Sequence, residues 1–175
     1  MMTLRYLFHS GFLLETARCL LVFDYWMDPA DVMSGYMNTC KHVYVFSSHF
    51  HEDHFTKAIL KWKNSIPNIT YILSKDILKR RRAQKEDADV WMAKGAVWED
   101  ENLKVTATGS NDSGVSWIVE TEGKPSFTQA ICATGTHAFL LTAHLKERSS
   151  VKSLVNTSIL WQRRKIGRAS CRERV

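Results

Sequence analysis

This sequence of 175 residues has no paired cysteine motif, no long apolar run and no even spread of its surplus positive charge. Each absence narrows its class. The four cysteines, Cys19, Cys40, Cys132 and Cys171, are scattered, without a C-x-x-C pair or the density of a small secreted domain, so reduced structural thiols are expected rather than a disulfide framework. Near the N-terminus Arg5, His9, Glu15 and Arg18 interrupt the apolar residues. Neither a signal-peptide core nor a spanning segment of about 20 apolar residues can be drawn there. A cytoplasmic chain with no membrane partner is the expectation. The net charge of +6 divides unevenly: residues 1–145 hold 15 Lys/Arg against 16 Asp/Glu, and residues 146–175 hold 9 against 2. The one internal basic run, Lys79-Arg80-Arg81-Arg82, lies beside Glu86, Asp87 and Asp89 and lacks interleaved aromatics. It reads as a solvated helix face, and no nucleic-acid partner is expected.

What is present is enough for one globular core, since 45% of the residues are hydrophobic. Residues 4–8, 12–15 and 19–25 are short runs rich in Leu, Val, Phe and Tyr, split by Ser10-Gly11 and Thr16-Ala17-Arg18. They predict a strand meander. Asp28-Pro29 opens a loop, and Val43-Tyr44-Val45-Phe46 is a continuous apolar strand of the kind buried on both faces. Ala58, Ile59 and Trp62 give residues 56–63 a helical spacing, ended by Asn64-Ser65-Ile66-Pro67 before a strand at 69–73. A short helix over 76–82 capped near Ser74, and strands at 103–108 and 115–121 joined by the turn-rich residues 109–114, complete the readable elements. No internal repeat is present. Beyond Lys124 the periodicity fades, and residues 163–175 have the basic, unpatterned composition of a disordered tail.

Chemistry is concentrated in Ser48-His49-Phe50-His51-Glu52-Asp53-His54, three imidazoles and a carboxylate at the end of the buried strand. In an extended segment His49 and His51 project to one side and can reach one cation, while a turn into a helix brings Asp53 and His54 towards a second position. Imidazole nitrogen and carboxylate oxygen suit zinc at about 2.0–2.2 Å, and an incomplete ligand set leaves room for a water whose pKa falls towards about 7. That water is the expected nucleophile. The competing explanation is a polar loop whose histidines are solvated or cap a helix.

The string His49-x-His51-x-Asp53-His54 resembles the H-x-H-x-D-H signature of the metallo-β-lactamase-fold hydrolases. Residues 6–15 and Leu21-Val22-Phe23-Asp24 are similar to the opening hairpin of that superfamily's branch of lactonase-like hydrolases. The likeness covers roughly residues 4–123. It implies an α/β fold, here the N-terminal part of a metallo-β-lactamase-like αββα sandwich, incomplete. It implies also that His49 and His51 bind one metal and Asp53 and His54 a second, with zinc or manganese as one or two ions. Asp53 would orient the attacking water on a small-molecule substrate. Asp24 resembles a family aspartate beneath the metals, though an Asp here could equally cap the next turn. His9 either faces the site or is satisfied in the core, and His42 is expected to face solvent.

The resemblance also exposes a break. A complete relative supplies a third histidine, a bridging aspartate and a last histidine from later strands. Here residues 109–114 contain no histidine and no aspartate follows Asp112, which itself reads as a turn former. Residues 125–136 can be encoded by codons that, read one base earlier after Lys124, give T-I-F-H-A-G-D-L-C-H-W-H, and F-H-A-G-D resembles the family's strand with the bridging aspartate. Residues 165–175 look like translated sequencing adapter. The expected organisation is a half-domain over residues 1–124 and a frameshifted, disordered or poorly packed segment over 125–175. Without a second half-sandwich, the strands at 43–46 and 115–119 are expected to expose apolar surface.

Overall fold

The computed structural model describes residues 2–110 and 113–121, together with the backbone of 126–131 and 137–142. Asp112, Cys132, Cys171 and the tail beyond residue 142 lie outside the described residues.

The predicted meander forms as β1 (Thr3–Tyr6), β2 (Phe12–Glu15) and β3 (Cys19–Phe23), paired antiparallel. From β3 the sheet turns parallel through β4 (His42–Ser47), β5 (Ile69–Ser74) and β6 (Val90–Met92). The order is β1-β2-β3-β4-β5-β6. Parallel neighbours need crossovers, and the one from β4 to β5 carries Lys57–Asn64. That segment is a 3-10 helix, not the α-helix its spacing suggests. Ile59 and Trp62, three residues apart, eclipse on one buried face at a period of three, and the Thr56 side chain accepts from the Ala58 N–H at its start. The predicted helix at 76–82 is shorter, α1 (Lys75–Lys79), capped by the Ser74 hydroxyl on the Asp76 N–H. It stops because Arg81 adopts φ +57, so the run Lys79 to Arg82 is an exposed helix end and turn rather than a helix face.

The second sheet is antiparallel, in the order β11-β10-β9-β8-β7, from β7 (Val97–Glu99), β8 (Leu103–Gly109), β9 (Val115–Thr121), β10 (Ser126–Ile131) and β11 (His137–Thr142). The sequence pattern marked β8 and β9 and missed the three-residue β6 and β7, too short to show alternation. It also gave no sign of β10 and β11, which lie where the periodicity fades.

The two sheets pack face to face, and this corrects the expected exposure of β4 and β9. Leu21, Phe23, Tyr44, Phe46 and Ile72 from the first sheet meet Val105, Val115, Trp117 and Val119 from the second, all buried. Phe23 and Phe46, Cα partners in the parallel register, stack at 4.6 Å between ring centroids. Each such fully buried side chain contributes about 1.5–3 kcal/mol relative to exposure. The opposite face of the first sheet, with Leu20, Val22, Val43, Val45 and Tyr71, is covered by Met33, Phe55, Ile59, Trp62 and Ile77 from the connecting segments. The layering is thus helical segments, sheet, sheet: the leading three layers of an αββα sandwich. Among the described residues no helix is long and apolar enough to cross a membrane.

Candidate metal centre

Parallel strands end at the same edge, and in open α/β sheets that carboxyl edge is where ligands bind. Because Phe23 is paired with Phe46, the residues just beyond β3 and β4 lie side by side: Asp24 beside the Ser47-Ser48-His49 turn. The Asp24 N–H donates to the Phe46 carbonyl at 2.8 Å, extending the ladder one step. Asp24 then takes φ +43, a left-handed conformation that aspartate tolerates better than most residues. That turn aims its carboxylate under the histidines.

Asp24 is fully buried and is engaged by Ser48 and His54. The Ser48 backbone N–H donates to Oδ1 at 2.8 Å, and the Ser48 hydroxyl donates to Oδ2 at 2.8 Å. His54 Nδ1 lies 2.9 Å from Oδ2. Burial pushes the carboxyl pKa upward, but the charge and hydrogen bond of His54, the Ser48 N–H and nearby His49 outweigh it and hold the group below its ordinary value. Asp24 is therefore a carboxylate, which fixes both histidines above it. His54 donates from Nδ1–H, so in the neutral form of the ring it is Nε2 that carries the lone pair. The Ser48 hydroxyl spends its proton on Asp24, so its oxygen accepts from His49 Nδ1, 3.0 Å away, and His49 Nε2 is likewise left as an acceptor. One buried carboxylate thereby sets the tautomers of His49 and His54, both themselves buried. A carboxylate behind a histidine nitrogen is the usual support of a metal-binding imidazole.

The outward nitrogens have close neighbours. His49 Nε2 is 3.0 Å from His51 Nδ1, and His54 Nε2 is 3.5 Å from Asp53 Oδ2. The rings of His49 and His54 are 3.9 Å apart between centroids, so the two pairs adjoin. Residues 48–55 form turns rather than the expected helix start, closed by the His54 and Phe55 N–H groups on the His51 carbonyl. From the β1–β2 connection His9 joins the group, with Nδ1 3.5 Å from Asp53 Oδ2. Ligand atoms of His9, Asp53 and His54 all fall within 4.8 Å of one another. Neutral imidazole nitrogens with a carboxylate oxygen are a donor set that fits zinc or manganese.

Three participants were not singled out from sequence. Ser48 relays Asp24 to His49, and Ser10 lies between His9 Nδ1 at 2.7 Å and His54 Nε2 at 3.3 Å. Gly114, with φ +67, brings the β8–β9 connection so close that an added Cβ would stand 2.0 Å from the Ser48 carbonyl oxygen and 2.7 Å from His49 Cβ. The neighbouring Val115 N–H donates to that same carbonyl. A glycine in a turn-rich stretch was the available signal, and what it approaches was not readable. His42 is far from solvent-facing: it is half-buried, stacked on Tyr44 at 4.2 Å, with Nε2 2.8 Å from the Thr70 hydroxyl.

No protein-family model and no curated protein matches the chain. Solved structures do. A metallo hydrolase from the hyperthermophilic archaeon Ignicoccus hospitalis aligns with a TM-score of 0.55 and 19% identity over 70% of this chain and 57% of its own. A protein from Parabacteroides distasonis, described as a metal-dependent hydrolase, aligns at 0.50 and 13% over the same shares, 70% and 57%. A metallo-β-lactamase from Cronobacter sakazakii gives 0.49 and 16%, with 69% and 51% covered. The chain thus spans a little over half the length of the first two. The chain shares the two-sheet sandwich fold of the first two of these structures. That fold is the metallo-β-lactamase-like one, present here in part.

Proposed function

We propose that this chain derives from a metal-dependent hydrolase of a small-molecule ester, amide or phosphoester, with His49, His51, Asp53 and His54 as metal ligands. The observation that carries the reading is the Asp24 network, which engages His54 Nδ1 directly and His49 Nδ1 through Ser48, so that the Nε2 of each ring, when neutral, is the nitrogen able to bind a metal. A solvated polar loop has no use for such an arrangement. Zinc or manganese, as one or two ions, would supply a Lewis acid and bring the pKa of a water towards about 7. Asp53, about one-third exposed at the rim, is the residue we assign to orienting that water and holding its proton. Asp24 and Ser48 keep the imidazoles oriented. Cys19 and Cys40, both free thiols, accord with a cytoplasmic setting.

A second reading is favoured by one sequence fact: no aspartate follows Asp112. On it, a frameshift after Lys124 has removed the later ligands, and the chain binds at most one metal without turning over. Metal analysis of the purified protein tests both. Close to two ions per chain, with hydrolysis of a model ester, supports the hydrolase. One ion and no turnover supports the misread chain. No metal, or uptake unchanged in the His49→Ala, His51→Ala double variant, would place the ligands elsewhere and end both readings. Independent resequencing through the Lys124 codon decides the frameshift: an uninterrupted frame rejects it.

A further inference from the structure

We propose that His9 is a metal ligand, completing with Asp53 and His54 a three-donor site that the H-x-H-x-D-H string by itself leaves at two. The inference rests on the metal-centre reading above and extends it to a residue 44 positions upstream of Asp53. Three observations carry it.

Distance comes first. Two donors on one tetrahedral zinc, each about 2.1 Å from the ion, stand about 3.4 Å apart. Asp53 Oδ2 is 3.5 Å from His9 Nδ1 and 3.5 Å from His54 Nε2, so two edges of the triangle already have that length. The second is the Ser10 hydroxyl, 2.7 Å from His9 Nδ1 and 3.3 Å from His54 Nε2, which ties both nitrogens to one side chain and keeps them within 4.8 Å of each other. The third is backbone conformation. His9 has φ +51, a left-handed conformation that turns the β1–β2 connection and leaves the His9 ring beside Asp53.

Packing is the competing explanation, since the His9 ring meets Trp26 edge-on at 5.8 Å and His54 at 6.1 Å. Two variants separate the alternatives. His9→Gly relieves the positive φ and removes the donor. His9→Phe keeps an aromatic ring for Trp26 and also removes the donor. The full-length protein is stripped with chelator and titrated with Co2+ alone, read by calorimetric stoichiometry and by visible absorption of the bound ion.

Both variants should retain one ion and bind the second at least about 100-fold more weakly, with a changed visible spectrum. The metal-free His9→Gly protein should melt no lower than the parent, which shows that the loss is not one of folding. If both variants bind the second ion within about twofold of the parent, His9 is a packing residue and the proposal fails. If the parent binds one ion and the His9 variants leave that affinity unchanged, it fails as well. Those outcomes leave the wider reading intact provided the His49→Ala, His51→Ala variant loses its ion. A parent that takes up no Co2+ overturns both.

Discussion

The base and the rim of the metal centre are built on different principles. At the base, Asp24, Ser48, His49 and His54 are buried and joined by hydrogen bonds of 2.8 to 3.0 Å. At the rim, His9 and Asp53 are 43% and 34% exposed in their side chains and meet at 3.5 Å, longer than a good hydrogen bond. The base is finished by the fold alone. The rim has its donors at the spacing of ligands, and on the proposed function a bound ion would complete it. Base substitutions should therefore be felt in stability, and rim substitutions in metal uptake.

The sharpest way to break that contrast is Asp24→Ala. It removes the acceptor of the Ser48 N–H, the Ser48 hydroxyl and His54 Nδ1 from a buried site, and should cost about 3–5 kcal/mol in urea denaturation. A cost within experimental error would mean the base is not one unit. Next is Gly114→Ala, whose Cβ would press into the Ser48 carbonyl and His49. It should cost about 1–3 kcal/mol and weaken metal binding by moving His49. Gly95, at φ +85 with no atom within 4 Å of an added Cβ, is the control. Gly95→Ala should show only backbone strain, about 1 kcal/mol, and bind metal normally.

Acid should act on the base in a definite direction. The pKa of Asp24 is lower in the folded than in the unfolded chain, so its contribution is fully present above the unfolded carboxyl value of about 3.9 and is lost as pH falls through the folded value. Unfolding followed below about pH 4 should show this loss, and Asp24→Asn should flatten it. The smallest stability effect belongs to the rim. Asp53→Asn and His51→Ala should change unfolding free energy by less than about 0.5 kcal/mol while reducing bound metal. A large destabilisation by either would erase the distinction between the two regions.

Much of this was legible in the residues. The apolar run at 43–46 announced the central strand, and the density of His49, His51, Asp53 and His54 marked where the candidate metal centre would lie. Where reading failed, the cause was physical. Residues 90–92 and 97–99 are too short to display an alternation, and their pairing with β5 and β8 makes them strands. The spacing of Ile59 and Trp62 suits either helix type, and packing against the sheet chose the tighter one. The expected exposure of β4 and β9 rested on treating the second sheet as missing, whereas β8 and β9 suffice to bring Val105, Trp117 and Val119 onto Phe46 and Tyr44.

By itself the sequence determined which side chains could do chemistry and where the central strand lay, because ligand type and strand patterning are local properties. Tertiary structure decided what those side chains mean to one another. Only the parallel register of β3 and β4 puts Asp24 under Ser48 and His54, only the hairpin between β1 and β2 returns His9 to Asp53, and only the packed second sheet sets Gly114 against His49. Such meetings join residues 24 to 65 positions apart, and a local pattern contains no term for a distance of that kind.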